Sequence, residues 1–116
     1  MSITRIEAGP RMSSAVIHGG KIYLAGYVAE EAAGQSVAAQ TKDILQQIEA
    51  TLLEAGSDKT KLLKANIWLT DISTIAEMNS VWDAWVVAGQ TPARATVEAK
   101  LAGAGWNVEI MVEAAI

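Results

Sequence analysis

Residues 62–70, LLKANIWLT, set the main constraint on what this chain can fold into. The stretch has the length and side-chain content of a strand, and alternation puts Leu63, Ala65, Ile67 and Leu69 opposite Leu62 and Trp68. A strand that is apolar on both sides must be covered on both faces. The fold therefore needs a sheet with helices over one face and a second covering over the other.

The flanking sequence supplies the helices. From Ser36 to Ala55, Val37, Ile44, Leu45, Ile48, Leu52 and Leu53 recur with a period near 3.6, and Gly56 supplies a stop. After the strand, Asp71, Ser73 or Thr74 can cap a second helix, with Thr74 and Glu77 spaced as a capping box. Its apolar stripe is Ile75, Met78, Trp82, Trp85 and Val86, and Gly89 and Pro92 end it. Upstream, residues 13–29 give two strands joined across Gly19-Gly20, a hairpin signal. Downstream, strands at about 93–101 and 106–115 flank the small-residue loop 102–105. The expected fold is a single α+β domain over residues 1–116, ordered ββαβαββ, with one mixed sheet and both helices on one face.

Composition bears on the uncovered face. Only 19% of the residues are charged and 51% are hydrophobic, which together with Leu62, Trp68 and Met111 predicts that a second copy of the chain covers it. Thirteen acidic against nine basic residues give a net charge of −4, which argues against a nucleic-acid partner. The absence of cysteine and the single histidine argue against thiolate chemistry and a Cys- or His-ligated metal, and no cofactor is expected. No apolar run is long enough to span a membrane and no signal-peptide pattern opens the sequence, so a cytoplasmic location is expected. His18 precedes the Gly-Gly turn and reads as a solvated hairpin residue.

The sequence GQTPARATVEAK, residues 89–100, places an arginine in a strand. Parity separates Arg94, Thr96, Glu98 and Lys100 from Ala95, Val97, Ala99 and Leu101. Pairing this strand antiparallel with the last one, apolar face to apolar face, sets Arg94 opposite Glu113. Arg94, Thr96, Glu98, Glu109, Met111 and Glu113 would then share the helix-free face. Such a pair is either a cross-strand ion bridge or a site where the guanidinium holds a ligand carboxylate while the glutamate handles water. Spacing does not choose between them.

In combination, IYLAG at 22–26, KANIWLTDISTIAEMNSVWDAW at 64–85, TPARATVEA at 91–99 and VEIMVEAA at 108–115 resemble the RidA/YjgF family, also labelled endoribonuclease L-PSP. The resemblance runs over nearly the whole chain. It implies a chorismate-mutase-like fold, a homotrimer with clefts between subunits, and hydrolysis of 2-imino or enamine acids to 2-oxo acids and ammonia. Arg94 resembles the family arginine that grips the substrate carboxylate, Glu113 the glutamate associated with water, and Asn79 an asparagine near the cleft. The sequence departs from the deaminating pattern in its first half: Met12 stands where a tyrosine is usual, Ala25 and Tyr27 replace the serine and glutamine of a Ser-Gly-Gln, and Thr96 replaces a frequent cysteine. Tyr27 is a candidate to supply the lost hydroxyl, and Met12 to line the altered wall. Two alternatives stay open: a small-carboxylate binder without chemistry, and the ribonuclease or translation inhibitor that the older label suggests.

Overall fold

In the computed structural model of the protein, which describes residues 2–116, the Gly19-Gly20 pair turns with φ of 63° and 79°. Two successive positive φ values are the primed geometry that matches the twist of a tight hairpin. It joins β2 (Ala15–His18) to β3 (Lys21–Leu24), with His18 opposite Lys21. One short strand not expected from the sequence, β1 (Thr4–Ile6), extends this unit, and the expected second strand is broken after Leu24, its far part forming β4 (Tyr27–Val28). The chain continues through α1 (Val37–Glu54), β5 (Leu62–Leu69), α2 (Ile75–Trp85), β6 (Ala93–Glu98) and β7 (Val108–Ala115). The sheet runs β1-β2-β3-β7-β5-β6, with β4 also paired to β7. This is the expected α+β arrangement, with both helices packed on one face of a mixed sheet.

The final two strands do not form the expected hairpin. β5 lies between them, parallel to β6 and antiparallel to β7. The sequence order ββαβαββ is compatible with either arrangement. The central position between two partners goes to β5, whose apolar side chains Ala65, Ile67 and Leu69 are all but inaccessible to solvent. A slip between Leu62 and Lys64 also changes its expected parity: Leu62 turns inward and Leu63 is exposed. Trp68 points to the helix-free side and is only half-buried, so one face of β5 lacks a covering from its own chain.

Because β6 and β7 flank β5, residues 99–107 must arch over the end of β5. Gln40, fully buried on α1, holds this arch: its Nε2 donates to Gly105 O and Gln35 O, both at 3.0 Å, and its Oε1 accepts from Asn107 N at 2.8 Å. Gly105 has a φ of 86° and its carbonyl accepts from Gly34 N at 2.9 Å, a fit that a side chain in this left-handed backbone would strain. The expected capping box of α2 does not form. Thr74 makes no side-chain cap bond, and Glu77 instead reaches across to accept from Ala38 N in the first turn of α1 at 2.7 Å. A carboxylate there complements the helix N-terminus, and the contact ties the two helices together.

Replacing Gln40 with leucine would leave Asn107 N–H and the Gln35 carbonyl without this partner and take one of two hydrogen bonds from Gly105 O. The expected result is a loss of about 2–3 kcal/mol in urea unfolding. An unchanged midpoint would mean that the arch does not depend on this side chain.

Candidate functional site

The parallel register sets Arg94 beside Ala65, Thr96 beside Ile67 and Glu98 beside Leu69. Partners in a parallel ladder share a face, so Arg94, Thr96 and Glu98 point toward the helices. Arg94 Nη1 donates to Asn79 Oδ1 at 2.8 Å, and its guanidinium carbon lies 5.5 Å from the Trp82 ring centroid. Glu98 accepts from Ile72 N at 3.0 Å, bracing the turn before α2. Thr96 Oγ1 is buried without a hydrogen-bond partner. Asn79 and Trp82 are three residues apart on α2, a spacing that presents both to the same strand.

Among the described residues, no carboxylate lies within 4.0 Å of Arg94. Only Nη1 of the guanidinium makes a hydrogen bond among the described residues and the residue is exposed, which leaves donors for a planar anion such as a carboxylate.

Glu113 is elsewhere. It pairs with Tyr23 and Lys64, which puts it on the helix-free face, and its Oε1 lies 3.5 Å from Lys21 Nζ. The expected Arg94–Glu113 pairing and their shared surface are thus both incorrect. Inserting β5 moves β6 one strand away from β7, and its register turns Arg94 to the opposite face. Glu109 and Met111 stay with Glu113, while Arg94, Thr96 and Glu98 separate from them.

Met12 and Tyr27 belong to a third location, an open cleft of about 730 Å³ between the first strands, α1 and the arch. Its position follows from a local irregularity. Residues 23 and 27 pair with 113 and 110, so four steps on one strand match three on the other and a bulge forms around Ala25-Gly26. The bulge turns Tyr27 to the helix side, although Tyr23 faces the other way. A side chain at Gly26 would meet the Glu109 carboxylate, which would have to swing aside. The half-buried Glu109 carboxyl is pushed up by desolvation.

The Tyr27 hydroxyl sits between Ser14 O at 3.1 Å and Thr51 Oγ1 at 3.0 Å. Burial raises its pKa; the Thr51 bond opposes the shift, and the charges of Glu7, Glu54 and Glu30 add to it. Beside the cleft, Asp43 Oδ2 accepts from the backbone N–H of Glu30, Glu31 and Ala32 at 2.9–3.0 Å. Desolvation pushes the Asp43 carboxyl up, but the bonds from Ala32, Gln47, Glu30 and Glu31 together outweigh it and hold the pKa below 3.8.

Six expected site residues therefore fall into three groups within one subunit: Arg94, Asn79 and Thr96 at the β6 edge, Met12 and Tyr27 in the cleft, and Glu113 on the helix-free face. Two partners were missed by sequence reasoning. Trp82 was read only as core, although its spacing from Asn79 was a usable signal. Lys21 as the companion of Glu113 depends on the strand order β3-β7 and had no local signal.

The fold defines a small α+β domain of two helices packed on one mixed sheet. The chain belongs to the family described as Endoribonuclease L-PSP, whose model matches residues 2–116. It is 43% identical over 116 residues to the RutC family protein YoaB of Escherichia coli, covering all of both chains. A solved structure of a YjgF family member from Neisseria meningitidis superposes with a TM-score of 0.95 at 50% identity, covering 99% of this chain and 95% of that one. A structure from Salmonella typhimurium described as a putative translation initiation inhibitor gives a TM-score of 0.90 at 42% identity, covering 99% and 98%.

Asp43 gives a prediction with a defined sign. A carboxyl whose folded pKa is depressed stabilises the fold above its unfolded pKa and loses that contribution as pH falls through the folded value. Asp43→Asn should lower stability by about 1 kcal/mol at pH 7, a figure discounted for partial exposure. In thermal melts the gap from the parent should close as pH drops below about 3.8. A gap independent of pH would remove the carboxylate from the account.

Proposed function

We propose that the protein hydrolyses small 2-imino or enamine acids to 2-oxo acids and ammonia in a cleft formed when copies of the chain assemble. The observation that carries this reading is Arg94, held by Asn79 and Trp82 and lacking a carboxylate partner among the described residues. A guanidinium fixed on one side and open on the other is prepared for the carboxylate of a small acid.

Assembly supplies what one subunit lacks. The helix-free face carries half-buried Trp68 and Met111 and exposed Tyr23 and Val97, and β6 is an edge strand. Covering that face with further copies, as a homotrimer, buries this apolar surface and brings the β6 edge of one copy to a neighbour. Arg94 then acts across a subunit boundary from Glu113, with Thr96 beside it and Met12 and Tyr27 lining the ligand's far side.

The chemistry asks little of the protein. The imine carbon is electrophilic; water adds to it, the nitrogen takes a proton, and collapse of the carbinolamine expels ammonia and leaves the 2-oxo acid. Arg94 fixes the carboxylate, and Glu113, which lies beside Lys21, accepts a hydrogen bond from the water and takes its proton. No step calls for a redox group.

A second reading, binding of a small carboxylate without turnover, is favoured by the state of Tyr27. Its hydroxyl is tied to Ser14 and Thr51, and Met12 and Ala25 bring no hydroxyl of their own. The ribonuclease named in the family description fits less well with a net charge of −4.

The two readings separate in one assay. Added to a pyridoxal-phosphate dehydratase that generates 2-aminoacrylate, the protein should accelerate ammonia release, and Arg94→Ala should remove at least about nine-tenths of the gain. Binding of 2-oxobutanoate by calorimetry without any acceleration would establish the binder instead. Acceleration that survives Arg94→Ala would exclude the binder and remove Arg94 from the hydrolysis.

A further inference from the structure

Glu109 lies on the helix-free face of the central strand β7, and the chemistry proposed above gives it no task. Val28 of β4 flanks it on one side and Trp68 of β5 on the other. Gly26, in the bulge, brings no side chain of its own and leaves room for the Glu109 carboxylate to lie against the sheet. There the carboxyl is half-buried, makes no hydrogen bond and has no cation within 4.0 Å among the described residues. The groups around it are uncharged: Gly26 and Val28 before and in β4, Asn66 and Trp68 on β5, Asn107 and Met111 along its own chain. The titratable groups of this face gather instead about Glu113, four residues further along β7, with Lys21 and Tyr23 from β3 and Lys64 from β5. Arg5 and His18 lie beyond them on β1 and β2. Burial alone acts on the Glu109 carboxyl, and it pushes the pKa above 4.5 in a single subunit.

We infer that self-association through the helix-free face takes up a proton at Glu109, so that the assembly tightens as the pH falls. This rests on the reading above only in taking copies of the chain as the cover of that face. A second copy brings the same set of groups, and its two central lysines already stand beside its own Glu113. What it lays over Glu109 is then mainly apolar surface of the kind that Trp68, Met111 and Val97 supply. Removing the remaining water from a carboxylate without a counter-charge costs more than removing it from the neutral acid. The covered carboxyl therefore has the higher pKa of the two states, and the assembled form binds more protons. Association strengthens as pH falls through the covered value and levels off below the uncovered one.

Sedimentation equilibrium at fixed ionic strength between about pH 5 and pH 8 tests this, with the association constant expected to rise by up to about 10-fold per pH unit for each carboxyl covered. Glu109→Gln, a neutral side chain of the same shape, should associate more tightly than the parent at the alkaline end and lose the dependence. His18 titrates in the same window, and His18→Gln should keep it. Where the copies hold together too tightly to dissociate, carboxyl-13C resonances of labelled glutamate decide. The one missing from Glu109→Gln should titrate above 4.5 in the assembled protein. Association that weakens as pH falls, or that Glu109→Gln weakens, means that a neighbouring copy's cation meets the carboxylate, and it overturns the inference. So does an association independent of pH, or a Glu109 resonance that titrates at or below 4.5. A chain that stays monomeric at every pH overturns it together with the shared cleft. Proton-linked assembly without accelerated ammonia release upholds it and removes the hydrolase reading alone.

Discussion

The structure depends on the pairing of β5 along both of its edges. Its hydrogen bonds run parallel to β6 on one side and antiparallel to β7 on the other, while Ala65, Ile67 and Leu69 anchor it beneath the helices. A backbone satisfied on both edges is fixed in register, and that register decides which way every neighbouring side chain points. Arg94 faces α2 because Ala65 does. Glu113 faces away because Lys64 does.

Most of the fold could be read from the sequence because its signals are local. The 3.6 period from Val37 to Leu52, the Gly19-Gly20 turn and the alternation in β7 each depend on residues close in the chain. Strand order does not. The sequence near Arg94 is equally compatible with a hairpin to β7 and with a parallel pair to β5, and nothing local to it decides between them. The same limit applies to the site. Arg94, Asn79 and Thr96 can be nominated from the sequence, whereas the contact between Arg94 and Asn79 requires a helix and a strand to meet across the sheet edge. The bulge at Ala25-Gly26 also left no local mark beyond a glycine, yet it determines that Tyr27 enters the cleft.

Polar side chains fix the loops more firmly than the loops' own composition would suggest. Gln40 fastens the 99–107 arch, Asp43 gathers three consecutive backbone N–H groups after β4, and Glu77 joins α2 to the start of α1. All three contacts surround α1, so the cleft and the arch are held by the same helix.

β7, the last strand of the fold, occupies the middle of the sheet between β3 and β5. During synthesis the early hairpin and the β5-α2-β6 unit both emerge before the strand that joins them. Each of the two earlier units then exposes the sheet edge that β7 later fills, β3 on one side and β5 on the other. Closure of the core is a long-range event that follows translation of residues 108–115, and the interval before it is when the nascent chain is most open to pairing with the wrong strand.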